Sequence, residues 1–102
     1  MLELRADCEC CGRDLPPDSA EAMICSFECT FCRDCVESKL FNVCPNCGGG
    51  FEKRPVRPAR EYCKGAWLGA RPASGVRRHR PMDLDEHAAF AATLKDVPPG
   101  GR

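Results

Sequence analysis

The chain has 102 residues, ten cysteines and fifteen basic groups matched by fifteen acidic ones. That length holds one small domain with a tail, and so small a core rarely keeps a fold by burial alone. The N-terminus carries Glu3, Arg5 and Asp7 with no apolar run behind them, so neither a signal peptide nor a transmembrane segment is expected, and the predicted compartment is the reducing cytoplasm.

The zero net charge hides an asymmetry. Residues 1–47 hold nine acidic and four basic groups, a net −5. Residues 48–80 hold nine basic groups against Glu52 and Glu61, a net +7, and residues 81–102 return to −2. An acidic segment followed by a basic one predicts either an arm that wraps back along its own domain or an arm that takes nucleic acid.

In chain order, Leu2 and Leu4 flank Glu3 in a period-2 pattern that predicts a short edge strand. Nine of the ten cysteines follow between Cys8 and Cys47. Eight form spaced pairs: Cys8-x2-Cys11, Cys25-x3-Cys29, Cys32-x2-Cys35 and Cys44-x2-Cys47. Two tetrahedral sites of four thiolates would use all eight, because a two-residue gap lets one tight turn present two sulfurs to the same ion. Gly12 and Gly48 follow the outer pairs, as a knuckle with a positive-φ residue requires. Cys10 lies inside the first knuckle and cannot share a metal with its neighbour Cys11; a register swap with Cys8 stays open. A disulfide framework would need an oxidising compartment, and a thioredoxin-like centre would need a βαβ pattern that is missing.

Leu15-Pro16-Pro17-Asp18 reads as a turn. Glu21 to Phe31 predicts a short β-hairpin around the second pair, with Ile24, Phe27 and Phe31 giving apolar contacts. A helix opens at Cys32-Arg33-Asp34-Cys35, with Val36 and Leu40 on one face and Phe41 extending it. Metal-bound sulfurs are favoured at that N-terminus because they carry negative charge. Knuckle, hairpin and ligand-bearing helix predict a small zinc-stabilised α+β fold of treble-clef type over residues 1–50, with two zinc sites of four cysteines each. Bound zinc supplies on the order of 10 kcal/mol per site toward folding.

The run Cys8-x2-Cys11-x13-Cys25-x3-Cys29-x2-Cys32-x2-Cys35-x8-Cys44-x2-Cys47 resembles RING-finger spacing, with Cys29 where histidine is usual and with Phe31 and Pro45 at familiar positions. The resemblance implies cross-brace ligation: Cys8, Cys11, Cys32 and Cys35 on one zinc, and Cys25, Cys29, Cys44 and Cys47 on the other. Met1 to about Leu68 also resembles a family of small bacterial cysteine-rich proteins classed only as a domain of unknown function, which implies a bacterial source. RING fingers usually recruit a ubiquitin-conjugating enzyme. The contacts that do so differ here: Glu9 replaces an aliphatic residue and Gly48 a basic one. Leu40, Phe41 and Pro45 would either form an apolar patch for such an enzyme or serve simply as cover for the helix and the second site.

Beyond Gly50, residues 51–60 carry prolines and alternating arginines and should run extended, as polyproline or an edge strand. Residues 51–69 are expected to pack on the zinc domain as a basic, aromatic arm carrying Tyr62 and Trp67. Cys63 is expected to be a free thiol, with Lys64 its only electropositive neighbour. Residues 70–81 read as a linker with the basic cluster Arg77-Arg78-His79-Arg80. Asp83, with Glu86 three residues on, predicts a capped helix over about 83–95, and the end from Val97 is expected to be disordered. His79 and His87 read as solvated side chains.

No nucleophile–base pair and no phosphate loop stands out, so the predicted function is a zinc-binding structural module for a protein partner rather than an enzyme. The alternative is a nucleic-acid-binding regulator using the basic arm 53–80; a ligase-like or thiol-based enzyme is the third reading. No membrane role is expected.

Overall fold

The computed structural model describes residues 1–102 and is a small α+β protein built on a three-stranded antiparallel sheet. Its strands are β1 (Ala22–Ile24), β2 (Thr30–Cys32) and β3 (Glu52–Lys53), and β1 lies at the centre. In the β1–β2 hairpin Ala22 faces Cys32, Met23 faces Phe31 and Ile24 faces Thr30. Its turn is closed by the Cys25 N–H donating to the Cys29 carbonyl at 3.2 Å and the Glu28 N–H donating to that of Cys25 at 3.0 Å. Glu28 takes φ 67° to make this return. β3 joins the other edge of β1, pairing Met23 with Lys53 and Ile24 with Glu52. The expected edge strand after Gly50 is thus present, two residues long.

The core lies between sheet, knuckles and the first helix, and it holds Leu15, Ala22, Phe31, Val36, Leu40 and Phe51 beside the buried cysteines. Phe31 and Phe51 meet edge to face with centroids 5.3 Å apart, an arrangement their quadrupoles favour. Two residues of the predicted hairpin and helix faces lie elsewhere. Phe27 sits on the hairpin turn and is 71% exposed rather than an apolar contact. Helix α1 (Arg33–Ser38) stops after six residues. Phe41 and Asn42 then take φ 54° and 56°, which turns the Phe41 ring outward under the Lys95 ammonium, 5.6 Å from its centroid. Val36 and Leu40 stay buried on one face.

No strand forms at Leu2–Leu4. Instead the Leu4 carbonyl accepts from the Ser74 N–H at 2.9 Å and the Leu2 carbonyl from Arg57 Nη2 at 2.7 Å. Leu4 is buried under these segments. Arg54, which the basic arm would have placed in solvent, is buried to 1% exposure. Its Nη1 donates to the Arg5 carbonyl at 2.9 Å and its Nη2 to the carbonyls of Leu15 at 3.3 Å and Pro16 at 2.9 Å. No carboxylate faces it, and burial lowers its pKa.

Helix α2 (Leu84–Ala92) begins at Asp83, whose side chain accepts from the Glu86 N–H at 3.0 Å. It is shorter than the pattern suggested because the Thr93 and Leu94 N–H groups bond carbonyls three residues back, those of Phe90 and Ala91, and Thr93 Oγ1 also donates to Phe90, tightening the last turn. Its inner face carries Ala91 and His87. His87 is buried, not solvated: its Nε2 lies 3.1 Å from the Leu40 carbonyl and its ring meets Phe90 at 6.1 Å. The end of the chain is also ordered. Pro99–Gly101 make a 3-10 turn, and Arg102 donates to the carbonyls of Val97, Asn42 and Gly48. Those bonds fix a segment whose composition alone predicts disorder. No helix is long and apolar enough to cross a membrane.

Candidate metal centre

The two knuckles form as their sequences dictate. In the first, the Gly12 N–H donates to the Cys8 carbonyl at 2.8 Å, the Cys8 N–H reaches the Arg13 carbonyl at 2.9 Å, and Gly12 has φ 78°. In the second, the Gly48 N–H donates to the Cys44 carbonyl at 2.8 Å and Gly48 has φ 79°. Each turn also aims a peptide N–H at sulfur: Cys11 N–H to Cys8 Sγ at 3.5 Å, and Gly49 N–H to Cys47 Sγ at 3.4 Å. Such donors stabilise thiolate charge.

The sulfurs gather in interleaved fashion. Cys8, Cys11, Cys32 and Cys35 have ligand atoms all within 4.8 Å of one another, and so do Cys25, Cys44 and Cys47. The first pair therefore joins the third, across β2 and the N-terminus of α1, and the second joins the fourth. Cys8 and not Cys10 falls in the first group of mutually close sulfurs. Cys10 is half-buried beside it. Cys29 is buried on the hairpin next to the second group, but its sulfur lies outside the 4.8 Å cluster. Cys63 stands exposed and apart.

The donor sets suit a tetrahedral thiolate-bound metal. Bonds of about 2.3 Å at tetrahedral angles put sulfurs roughly 3.8 Å apart, and Cys11 Sγ lies 3.7 Å from Cys32 Sγ. Without a cation, burial works against charge on these thiols. It pushes the Cys8 pKa up to about 11 and raises those of Cys35 and Cys44 further, with repulsion from neighbouring thiolates adding to both. Cys25 and Cys29 both act on Cys44 in this way. At Cys11 burial is outweighed by hydrogen bonding near Arg13 and from Cys8, Cys32 and Cys35, so its pKa is lowered. A divalent ion would reverse the balance, since a coordinated thiol is deprotonated outright.

The basic cluster Arg77–Arg80 folds back as a strap over the first knuckle. Asp7 is fully buried and accepts from the backbone N–H groups of Arg78 at 2.9 Å and His79 at 3.1 Å, with Arg77 Nε at 3.3 Å. Arg77 also pairs with Asp14 and donates to the Gly12 carbonyl at 2.7 Å; the hydrogen bond to Asp14 raises its pKa. Arg78 meets Glu3 at 2.9 Å, and Arg80 meets Glu9 at 3.3 Å and Asn46 at 2.6 Å. On the second knuckle, Phe90 of α2 and Leu94 of the turn after it lie against Gly48, where an added Cβ would come within 3.1 Å of Leu94. Asp7, Glu9 and His87 were not singled out by the pattern of cysteines. The charge asymmetry indicated that the basic segment could fold back on an acidic one, without marking Asp7 or Glu9 as its targets.

The fold and the two sulfur groups define a small cysteine-rich α+β protein with cross-braced clusters able to hold metal. The chain belongs to the family described as protein of unknown function (DUF1272), whose model matches residues 1–57. It is 58% identical over 82 residues to an uncharacterized protein of Rhizobium meliloti (strain 1021), covering 80% of this chain and 90% of that one. No solved structure matches the chain. The family model ends just past Arg54, so the matched segment holds both sulfur groups and the arginine that ties residues 5, 15 and 16 together.

Proposed function

We propose that this chain is a RING-like treble clef that binds two zinc ions as structural elements and serves as a protein-binding module. The observation that carries this reading is the convergence of Cys8, Cys11, Cys32 and Cys35 from two distant pairs onto one 4.8 Å cluster. Cys29 completes the second site. Its carbonyl already closes the hairpin on Cys25, and its buried thiol is near enough to Cys44 to act on it electrostatically, which makes it the nearest remaining thiolate donor for that cluster. Four thiolates close a zinc coordination sphere, so the expected role is stability and presentation rather than catalysis.

A partner surface is supported by Phe27. Its ring is 71% exposed on a turn held between two ligand positions, Cys25 and Cys29. An apolar ring on so constrained a turn loses little entropy on docking.

Elemental analysis of protein purified without added metal tests the zinc reading. Two zinc per chain are expected, with loss of folded structure in strong chelator and loss of one zinc in Cys29→Ser. One metal or none per wild-type chain, or an intact fold after chelation, refutes it. Pull-downs from native lysate with and without nuclease, using wild type and Phe27→Ser, test the partner class. A protein retained after nuclease and lost with Phe27→Ser is expected.

A further inference from the structure

The nine cations of residues 48–80 meet three different fates. Arg77, Arg78 and Arg80 are spent on Asp7, Asp14, Glu3 and Glu9. Arg54 is buried on three carbonyls. The cations left without a carboxylate within ion-pair distance include Arg57, Arg60, Lys64 and Arg71, and these cluster on the loop between β3 and the strap.

That loop is built rather than loose. The Leu68 N–H donates to the Pro58 carbonyl at 2.9 Å, so residues 58–68 leave and return at one point. A turn at Cys63–Ala66, with Gly65 at φ 76°, reverses it. The nearest acid, Glu61, accepts from the Gly65 N–H at 3.0 Å and so braces that turn. Arg57 is fixed at its base by the carbonyls of Arg71 at 2.6 Å and Leu2 at 2.7 Å.

Between these residues lies an open cleft of about 320 Å³, lined by Arg57, Pro58, Lys64, Trp67 and Arg71. The Trp67 indole rests on Gly69, where an added Cβ would collide with the ring. The outer edge of the indole's six-membered ring is thereby held against backbone, and the ring also lines the cleft. Tyr62 on the same loop is 79% exposed.

We propose that this cleft is a binding site for single-stranded nucleic acid, with a base stacked on Trp67 and the flanking phosphates on Lys64, Arg71 and Arg57. Every base offers a π-face and every phosphate a charge, so unpaired cations around an indole fit such a strand without sequence preference. An acidic peptide would satisfy the cations but leave the indole and Tyr62 unused. The site lies on the loop after β3, apart from Phe27 on the hairpin turn, so it adds a second ligand class to the protein-binding reading and stands independently of it.

Trp67 is the single tryptophan of the chain and reports on its own stacking. The experiment titrates the full-length, metal-loaded protein with an oligothymidylate of about ten nucleotides, following indole fluorescence and the salt dependence of binding. Quenching is expected, with a slope of log K against log salt of roughly −0.7 per phosphate contact. Lys64→Gln with Arg71→Gln should flatten that slope by about 1.4. Trp67→Ala should weaken binding roughly ten-fold, and Trp67→Phe should restore most of it if stacking is the cause. Arg77→Gln should leave the affinity unchanged. Binding without quenching, an unaltered slope in the double variant, or a poly-glutamate peptide of equal charge binding as tightly would overturn the proposal.

Discussion

Arg54→Met is the perturbation that weighs most directly on how this fold is tied together. The methionine keeps the apolar length of the side chain and removes three hydrogen bonds, to the carbonyls of Arg5, Leu15 and Pro16. A bond from a charged donor contributes about 1.5–3 kcal/mol, and a carbonyl left buried without a partner costs in the same range. Against that stands the desolvation of a guanidinium, several kcal/mol, which the variant no longer suffers. The carbonyls belong to the N-terminal segment and to the turn after Leu15, and Leu15 itself is buried, so water cannot replace all three donors. The net loss is expected at about 3 kcal/mol. For a domain of this size that lowers the melting temperature by roughly 12–24 °C. Arg54→Lys should recover less than half, because an ammonium on a shorter reach cannot span acceptors on both segments. The assay is urea unfolding of the metal-loaded protein, with metal content measured on the same samples. A loss under about 0.5 kcal/mol at unchanged metal content and unchanged m-value would refute the reasoning, since it would mean that the three bonds only offset desolvation.

Cys35→Ser removes a sulfur from the first cluster at the start of α1 and should leave the domain unfolded by circular dichroism, whereas Cys63→Ser should be silent and Cys10→Ser nearly so. Loss of a metal in Cys10→Ser but not in Cys8→Ser would contradict the observed grouping. In the metal-free fold the Cys8 pKa of about 11 lies above its ordinary 9.0. Without metal, whatever packing of this knuckle outlasts chelation is favoured by the raised value below pH 9 and loses that support as pH rises through 11. Metal demands the thiolate, so the loaded protein should show the opposite sign, with metal retention and melting temperature falling from about pH 7.5 to about 5 as protons compete, measured with a metal indicator. Asp7→Asn should detach the strap and lower the melting temperature, because the charge that holds Arg77 is fully buried; the deficit should persist at about 1 M salt, where exposed pairs such as Arg78–Glu3 are already screened. Truncation after Gly50 should destabilise the domain, since it removes β3, Arg54, the strap and α2 together.

Much of the architecture was legible because the constraints are local. A Cys-x2-Cys followed by glycine has few ways to turn, and both Gly12 and Gly48 take the left-handed φ that the reading required. Val36 and Leu40 announced a buried face four residues apart, and Asp83 announced a helix start. What the sequence concealed depends on contacts distant along the chain. Arg54 looks like one more cation of a basic arm, and only the carbonyls of residues 5, 15 and 16 make it internal. Phe27 reads as core until the hairpin turn places it outside the ligand pair. Phe41 lies beyond a helix that ends at Ser38 and is turned outward by its own left-handed φ and that of Asn42, which no pattern of apolar spacing encodes. His87 and Arg102 find carbonyl partners at Leu40, Asn42 and Gly48, at least 47 residues away for the first and 54 for the second. The folding back of Arg77–Arg80 was foreshadowed by charge, but its target, a buried Asp7 beside the first cysteine, was not.

The interleaving of the sulfur groups also has a bearing on how the chain is made. Cys25 belongs to the second group yet lies between Cys11 and Cys32 of the first. During synthesis the first site cannot be assembled until Cys35 has left the ribosome, by which time Cys25 is already enclosed in its loop. The last cysteine of the second group, Cys47, follows only twelve residues later, within about a second or two of elongation. A nascent chain with one finished site and one incomplete site therefore exists only briefly. A nick between Cys29 and Cys32 separates the members of both groups at once, because each group has sulfurs on either side of that cut. Cleavage at the start of β2 thus leaves neither half of the chain with a complete set of ligands.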